Sequence, residues 1–335
     1  HALRRIMIRF TPLRPVPVRQ LLPILPLLLI ALLGPPAAAQ TTYLPGAEPP
    51  AKKKAAGQDS TITIEVHHLA PGVFAAKVNY VWTGWVELPG GPLLIDSALD
   101  ERTAAALADT IRARSGPKSV QYVVNTHAHG DHIGGNAYFA ASGATIIAQS
   151  KVAAKIDSIT KASKPSLRVD RKKVLGPADR KVEIIWLGKP AHTLSDMVVY
   201  LPKQRVLFAG DLISNKAIPW LLDPDMDRLG WISSVDSLMS KAFAFDTLVP
   251  GHGVLASAVE EVRFTSGYLK DSYDKAAKMA GWGTSLNSVK DWAYLGPYEG
   301  SEFYDEVHFL NMRRLYNQAR GIKTPGRPQA RAIKR

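Results

Sequence analysis

The apolar and polar residues of this chain follow two different periods, and their order predicts strands followed by helices. Apolar and polar residues alternate in 61–66, again in 73–81 and again in 93–95, which is typical of half-buried strands. In 101–114 the apolar residues instead recur every three or four positions, which is typical of a helix, and the Gly-Pro pair at 116–117 ends it. The chain therefore opens with strands and passes into a mixed α/β pattern.

The mixture of strands and helices continues towards the C-terminal part of the chain. Predicted strands cover 120–124, 144–148, 182–187, 197–201, 205–209 and 247–249, and predicted helices cover 150–163, 228–241, 256–280 and 303–319. A basic, proline-containing connection is predicted over 164–180. This order predicts layered α/β packing, with sheets buried beneath helices, in one catalytic domain over 61–317.

Most of the net charge lies at the two ends of the chain. Of the formal net charge of +13, five arginines lie in 1–40 and six basic residues lie in 318–335, and neither end contains an acid, which leaves +2 for the residues between. A near-neutral body argues against a nucleic-acid surface, so no nucleic-acid partner is expected. We interpret 318–335 as a basic disordered tail.

The N-terminal residues 1–40 have the three parts of a secretory signal. Basic residues come first, the apolar run 21–33 follows, and small residues around Ala39 offer a cleavage site. The apolar run is short for a hydrocarbon core of about 30 Å, so no stable membrane insertion is expected after cleavage. Residues 41–60 resemble a flexible leader. The expected location is periplasmic or secreted.

The residues that carry chemistry follow apolar strands. Five of the nine histidines lie in three such places: the cluster 127–132 (His-Ala-His-Gly-Asp-His), His192 and His252. Asp211 ends a further apolar strand. Three imidazoles and a carboxylate within six residues would repel or desolvate one another without a cation to share. The chain contains no cysteine, so a metal here must bind nitrogen and oxygen ligands.

These residues resemble the metallo-β-lactamase fold superfamily at four motifs, in the family's order. The motifs are 126–135 (Thr-His-Ala-His-Gly-Asp-His-Ile-Gly-Gly), 191–196 (Ala-His-Thr-Leu-Ser-Asp), 210–211 (Gly-Asp) and 250–253 (Pro-Gly-His-Gly). The likeness extends over roughly residues 61–280. It implies an α/β fold of the four-layer αββα sandwich type and a centre of two zinc ions.

The resemblance also implies a role for individual residues. The ligands implied for one zinc are His127, His129 and His192. Those implied for the second zinc are Asp131, His132 and His252. Asp211 is implied to bridge both. Asp131 and Asp211 are the implied catalytic carboxylates. Asp96 matches the family's buried acid beneath the metal loop and is expected to support a ligand, although an Asp that caps the following helix would also fit this position.

The predicted function is that of an exported, zinc-dependent hydrolase acting on a small molecule. A hydroxide that bridges the two metals would cleave a carbonyl ester, lactone, thioester or amide, because zinc lowers the pKa of bound water towards 7. The expected substrate contacts are Trp82, Trp85, Ser214, Asn215 and Trp220.

Other activities remain open. A β-lactamase is favoured by export and by 79–87, which resembles the mobile hairpin over the substrate of the lactamases, although core packing explains its two tryptophans equally well. Two positions argue against a β-lactamase. The lactamases with a cysteine ligand have that cysteine where this chain has Asp211, and they have a lysine where this chain has Ser214. A mononuclear iron dioxygenase of the same superfamily would use a subset of the ligands. A nuclease would require a basic cleft.

Overall fold

The computed structural model describes residues 61–154, 156, 165–257 and 259–322. The predicted signal segment, the leader, most of the predicted helix 150–163 and residues 323–335 of the predicted tail lie outside these ranges. Among the described helices, none combines the length and the apolar character that a membrane span requires.

Within the described ranges, twelve strands form one hydrogen-bonded sheet, and helices follow or separate them. The strands are β1 (Ile64–Ala70), β2 (Val73–Val78), β3 (Val81–Val86), β4 (Leu93–Ile95), β5 (Tyr122–Val124), β6 (Thr145–Gln149), β7 (Leu167–Val169), β8 (Lys172–Leu175), β9 (Val182–Trp186), β10 (Met197–Leu201), β11 (Val206–Asn215) and β12 (Thr247–Gly253). The described α-helices are α1 (Glu101–Ser115), α2 (Gly130–Ile133), α3 (Asn136–Ala141), α4 (Arg228–Leu238), α5 (Val259–Gly281), α6 (Val289–Trp292) and α7 (Phe309–Ala319).

The sheet has two halves that meet at a single pair of residues. The strand order is β7-β6-β5-β4-β3-β12-β11-β10-β9-β8, and β1 and β2 extend the first half beside β3. The halves join where His252 of β12 pairs with Val81 of β3. Because so few hydrogen bonds hold this junction flat, the halves can fold over and pack face to face.

Side chains of the inner strands alternate between different cores. In β11, Leu207 packs in a cluster with α4, α5 and α7, whereas Phe208 packs in a cluster built from strands of both halves. In β6, Ile147 joins that same inter-sheet cluster, and Ile146 packs with α1 and α3. The order of layers is therefore helix, sheet, sheet, helix. The predicted four-layer αββα sandwich is confirmed.

Several elements differ from the sequence-based expectation. Residues 164–180, predicted as a connection, contain β7 and β8. Charge obscures the strand pattern here, because β8 is an edge strand with exposed lysines, and Lys172 pairs with Glu183 of β9 at 2.8 Å. The predicted strand 73–81 is divided by a turn in which Asn79 has a φ of 57°. Helix α7 starts later than predicted, after a π-helical turn at Tyr304–His308, and continues past the predicted domain boundary at 317.

Candidate metal centre

The structure brings all seven predicted metal ligands together at one end of the sandwich. They form two groups, within each of which one nitrogen or oxygen atom per residue lies within 4.8 Å of the others: His127, His129, His192 and Asp211; and Asp131, His132 and His252. Each group draws ligands from both halves of the sheet. The centre is therefore assembled by the packing of the sandwich rather than by one local motif.

The loop after β5 turns sharply after His129, because α2 begins at Gly130. This turn brings the chain very close to a neighbouring loop, which is possible because two residues of the chain have no side chain. A Cβ atom at Gly134 would lie 1.9 Å from the carbonyl oxygen of Leu99, and one at Gly135 would lie 2.2 Å from that of Ser97. These two glycines let α2 approach closely enough to aim His132 into the centre.

The carboxylate of Asp211 lies between the two groups. Its Oδ1 atom is 3.1 Å from Nε2 of His132, and its Oδ2 atom is 3.3 Å from Nε2 of His192 and 3.4 Å from Nε2 of His252. Space for this carboxylate exists because residue 251 is glycine, where a Cβ atom would lie 1.8 Å from Asp211 Oδ1. Asp211 is therefore placed to contact cations held by either group.

The hydrogen bonds on the outer side of the imidazoles show which nitrogen atoms face inwards as lone pairs. The hydroxyl of Thr126 donates to Asp96 at 2.7 Å, so it accepts from Nδ1 of His127 at 3.0 Å. His129 contacts the carboxylate of Asp223 through Nε2. The inner atoms, Nε2 of His127 and Nδ1 of His129, are then both unprotonated and only 3.0 Å apart. A cation bound by both nitrogens would remove the repulsion between two lone pairs at this distance.

The second group has the same arrangement. Nδ1 of His132 donates to Asp96 at 2.9 Å, and Nδ1 of His252 donates to the backbone carbonyl of Tyr80 at 3.1 Å. Their Nε2 atoms therefore face the carboxylate of Asp211 and are the nitrogens that can bind a cation beside it. The residues fit metal ions: the donors are imidazole nitrogens and carboxylate oxygens, and their protons are held on the outer side.

Burial and mutual interaction perturb these groups strongly. Burial, together with the neighbouring His132, lowers the pKa of His127 well below its usual range. Burial acts against the charge of Asp211, but His252, His132 and His127 outweigh it and lower the pKa of this carboxyl. Asp211 is therefore an anion at neutral pH. Burial acts against charge on His132, His192 and His252 as well, but Asp211 outweighs it and raises the pKa of each. A divalent cation can replace the protons that these histidines would otherwise share with the buried carboxylate.

Comparison with known proteins identifies the family. The sequence profile of the metallo-beta-lactamase superfamily matches residues 76–252, more than half of the chain. This chain belongs to the metallo-beta-lactamase superfamily. The family predicted from the four motifs is confirmed, and its members bind metal ions.

Individual relatives share the central part of this superfamily member. The metallo-beta-lactamase type 2 of Bacillus cereus is 29% identical over 167 residues, which cover 49% of this chain and 63% of that enzyme. The hydroxyacylglutathione hydrolase of Rhodospirillum rubrum is 28% identical over 152 residues, 45% of this chain and 52% of that enzyme. Both matches therefore span less than two thirds of the relative. The predicted hydrolase agrees with the names of both relatives, and for this chain it stays a prediction.

A solved structure supports the fold. A metallo-beta-lactamase from Pontibacter korlensis superposes with a TM-score of 0.56 at 21% sequence identity, and it covers 62% of this chain and 100% of its own. At this identity the likeness shows the shared architecture.

Asp96 lies beneath the metal centre of this superfamily member and touches two of its loops. Its carboxylate accepts hydrogen bonds from the backbone N–H and the hydroxyl of Thr126, at 2.8 and 2.7 Å, and from Nδ1 of His132. The alternative role as a helix cap belongs to another residue, since Asp100 caps α1 by accepting from the N–H of Thr103. Asp96 therefore orients His132 directly and His127 through Thr126.

We expect Asp96→Asn to lower zinc affinity or turnover by about 10–100-fold, the usual effect of losing a partner of a metal ligand. Asparagine keeps the size of Asp96, but its amide nitrogen accepts no hydrogen bond, so contacts with Thr126 or His132 on that side of the group are lost. A competition titration with a chromogenic chelator measures the affinity. Asp100→Asn is the matched control, since asparagine also caps helices well. Equal zinc affinity in Asp96→Asn and the unmodified protein would contradict the role given to Asp96.

Asp223 is a supporting residue to which the sequence interpretation assigned no role. It is buried, and its carboxylate contacts the outer nitrogen of His129. Asp223 begins the acid-rich stretch 223–227 just before α4. A carboxylate there is equally typical of a helix cap, and Asp227 has that role. The long separation from His129 hides the contact in the sequence.

Four of the five expected substrate contacts lie elsewhere in the fold. Trp82 donates to the carbonyl of Gly253, and Trp85 donates to Ser115 and stacks on Phe74. Both tryptophans are buried because β3 is covered on both faces. Ser214 and Asn215 are also buried, and they bond to Thr265 and to the carbonyl of Val254, respectively. Trp220 is the expected contact that reaches the metal centre.

A cleft of about 420 Å³ opens above the metal centre. Its floor includes His129, Asp131, Asp211 and His252, and its walls are formed by Tyr80, Ile218, Trp220, Phe303 and Val307. Burial and the negative charges of Asp131 and Asp211 raise the pKa of Tyr80 to about 12, so its phenol stays protonated at neutral pH. The cleft has the size of a small-molecule site.

Proposed function

We propose that this protein is an exported hydrolase that holds two zinc ions and cleaves a carbonyl ester, lactone, thioester or amide. The observation that carries the proposal is the position of Asp211, whose carboxylate lies within 3.6 Å of nitrogen atoms from four histidines of both groups, His127, His132, His192 and His252, at the floor of an open cleft. A shared carboxylate of this kind is what a two-metal site needs.

The choice of zinc follows from the donor atoms. Five imidazoles and two carboxylates suit zinc, whereas magnesium and calcium prefer oxygen ligands. His127, His129 and His192 would hold one ion, Asp131, His132 and His252 the other, and Asp211 both. When bound, zinc makes water acidic enough to attack at neutral pH and polarises a carbonyl oxygen.

The protein's own side chains have separate tasks in the proposed reaction. Asp211 is buried and fixes the distance between the two groups, while Asp131 is only partly buried and faces the cleft. The carboxylate of Asp131 is the group placed to take a proton from the attacking water and to return it to the leaving oxygen or nitrogen. Tyr80 and Trp220 limit the access of water to the floor of the cleft.

An iron dioxygenase is the less favoured candidate. A single iron would use a subset of the seven ligands, whereas the structure orients the histidines of both groups by hydrogen bonds on their outer side. Metal analysis tests this point. Two zinc ions per chain would agree with the proposal, and one iron with no zinc would refute it.

A hydrolysis panel tests the proposed reaction. We expect the zinc-loaded full chain to cleave at least one of an aryl ester, a lactone, a thioester and a chromogenic cephalosporin, and to cleave bis(4-nitrophenyl) phosphate far more slowly. The initial rate of each reaction is followed by absorbance, with the chelator-treated protein as the blank. Activity on the phosphodiester alone would refute the choice of a carbonyl substrate.

A further inference from the structure

We infer that the substrate of this site is an uncharged molecule with an apolar, preferably aromatic, acyl group, and that the segment 303–307 creates this preference. The inference rests on the proposed hydrolase function. It concerns the walls of the cleft rather than the metal ligands at its floor.

The charges around the cleft carry the first step. None of the described residues that line it is a lysine or an arginine. The neighbouring Lys77 is held elsewhere, because its ammonium group donates to the carbonyl of Gly253 at 3.0 Å and to Glu302 at 3.1 Å. A carboxylate on the acyl group, lying against the walls and away from the metal ions, would thus have no cationic side chain among the described lining residues to pair with it, and an unpaired charge in a partly buried site is costly.

The apolar side chains carry the second step. The ring of Phe303 lies edge-on to His252, with centroids 5.7 Å apart, and edge-on to Tyr80 at 5.7 Å. The ring of Tyr80 stacks on His252 at 5.8 Å. The aromatic wall therefore begins in contact with a metal ligand. A carbonyl group held at the floor would place its acyl substituent against this wall, where an aromatic ring gains most.

The backbone around Phe303 holds this wall in place. Phe303 has a φ of 67°, a conformation that residues with a side chain adopt only when their surroundings impose it. Glu302 supplies that constraint, because its carbonyl accepts from the N–H of Ile218 at 2.8 Å and its own N–H donates to the carbonyl of Lys216 at 3.0 Å. The segment 303–307 is thus attached to the end of β11 rather than left free.

Asn311 holds the other side of the wall. Its side chain donates to the carbonyl of Pro219 at 2.8 Å and accepts from the N–H of Leu221 at 3.1 Å. These bonds flank Trp220, so one buried amide fixes the backbone on both sides of this ring. The C-terminal part of the chain therefore positions both halves of the wall, and it lies beyond the residues 76–252 that match the superfamily.

Three nitrophenyl esters test the inference on the zinc-loaded full chain. They share a leaving group and differ in the acyl group: phenylacetate is neutral and aromatic, acetate is neutral and small, and the succinate monoester carries a carboxylate. We expect kcat/KM to be highest for the phenylacetate ester and lowest for the succinate monoester. If kcat/KM for the succinate monoester equalled or exceeded that for either neutral ester, the inference would be overturned.

The variant Phe303→Ala tests the wall itself. We expect it to lower the ratio of kcat/KM for the phenylacetate ester to that for the acetate ester by about tenfold, since an aromatic contact and its buried area are lost. Phe303→Leu should retain part of the ratio. Phe243→Ala is the matched control, because Phe243 packs against Tyr200 away from the cleft. An unchanged ratio in a Phe303→Ala protein of normal circular dichroism would overturn the inference.

A binding measurement separates this inference from the proposed hydrolysis. Calorimetric titration with 4-phenyl-2-butanone, a neutral aromatic ketone that cannot be hydrolysed, should give at least tenfold weaker binding to Phe303→Ala than to the unmodified protein. If no substrate of the hydrolysis panel is cleaved but this difference is found, the proposed function fails and the inference about the wall stands. If esters are cleaved and the ketone binds both proteins equally, the inference fails and the hydrolase stands.

Discussion

Asp211→Ala is expected to lower kcat/KM by more than the roughly 10–100-fold loss that follows removal of a partner of a metal ligand. The reason is that the Asp211 carboxylate contacts both ligand groups, with Oδ1 3.1 Å from His132 and Oδ2 3.3 Å from His192. Its loss removes the anion that both ligand groups share. The positive charge of the two metals is then surrounded mainly by imidazoles, which carry no negative charge to balance it. Steady-state kinetics with the best substrate of the panel measures the effect, and elemental analysis of the dialysed protein should show fewer than two metals per chain.

Asp246→Ala is the matched control for Asp211→Ala. Asp246 is an exposed carboxylate that pairs with Arg205 at 2.7 Å, and it has no contact with the metal centre. This control should keep both its turnover and its metal content. Circular dichroism checks that both variants are folded. If folded Asp211→Ala protein kept two metals and turned substrate over within a few-fold of the unmodified rate, the bridging role would be wrong.

Metal removal is expected to abolish turnover and to lower the melting temperature. Each ligand group contains residues of both halves of the sheet, for example His127 after β5 and His192 after β9, so a bound metal links the two halves. A ligand at about 100 times its dissociation constant adds about 2.7 kcal/mol to the stability of the folded state. For a domain of this size that corresponds to a rise of roughly 5–10 °C.

Scanning calorimetry and an activity assay measure the effect of metal removal. Both the melting temperature and the turnover should return when zinc is added to the chelated protein, and magnesium should restore neither, because its preferred ligands are oxygen atoms. Full turnover in a protein shown by elemental analysis to contain no metal would exclude metal-dependent chemistry.

The metal centre is the part of the site that the sequence reveals most clearly. Residues 127–132 place four predicted ligands within six positions, and each histidine motif follows an apolar strand. Parallel strands of one layer end at a common edge, so ligands that follow them converge within that layer, and the packing of the two halves then brings both sets together. Short apolar runs likewise predict strands, including 93–95 and 197–201, which the structure contains as β4 and β10.

The walls of the cleft could not be predicted in the same way. Trp82 contacts Gly253, which lies 171 positions away. Phe303 contacts His252 across a stretch of chain that contains α5 and α6. Such contacts depend on tertiary packing, which leaves no local period in the sequence. In β3 every residue is buried, so the alternation that separates an inner face from an outer one is absent. The tryptophans of β3 therefore resemble binding residues in the sequence although they pack in the core.

Phe303 and Val307 of the apolar wall lie beyond the metal ligands in the chain, and this separation bears on how such proteins diversify. All seven ligands lie between His127 and His252, whereas Phe303 and Val307 come later. Mutations in the later segment can change which acyl group fits without disturbing the ligands. Lineages that share this metal centre can therefore drift towards new substrates through changes at the wall alone.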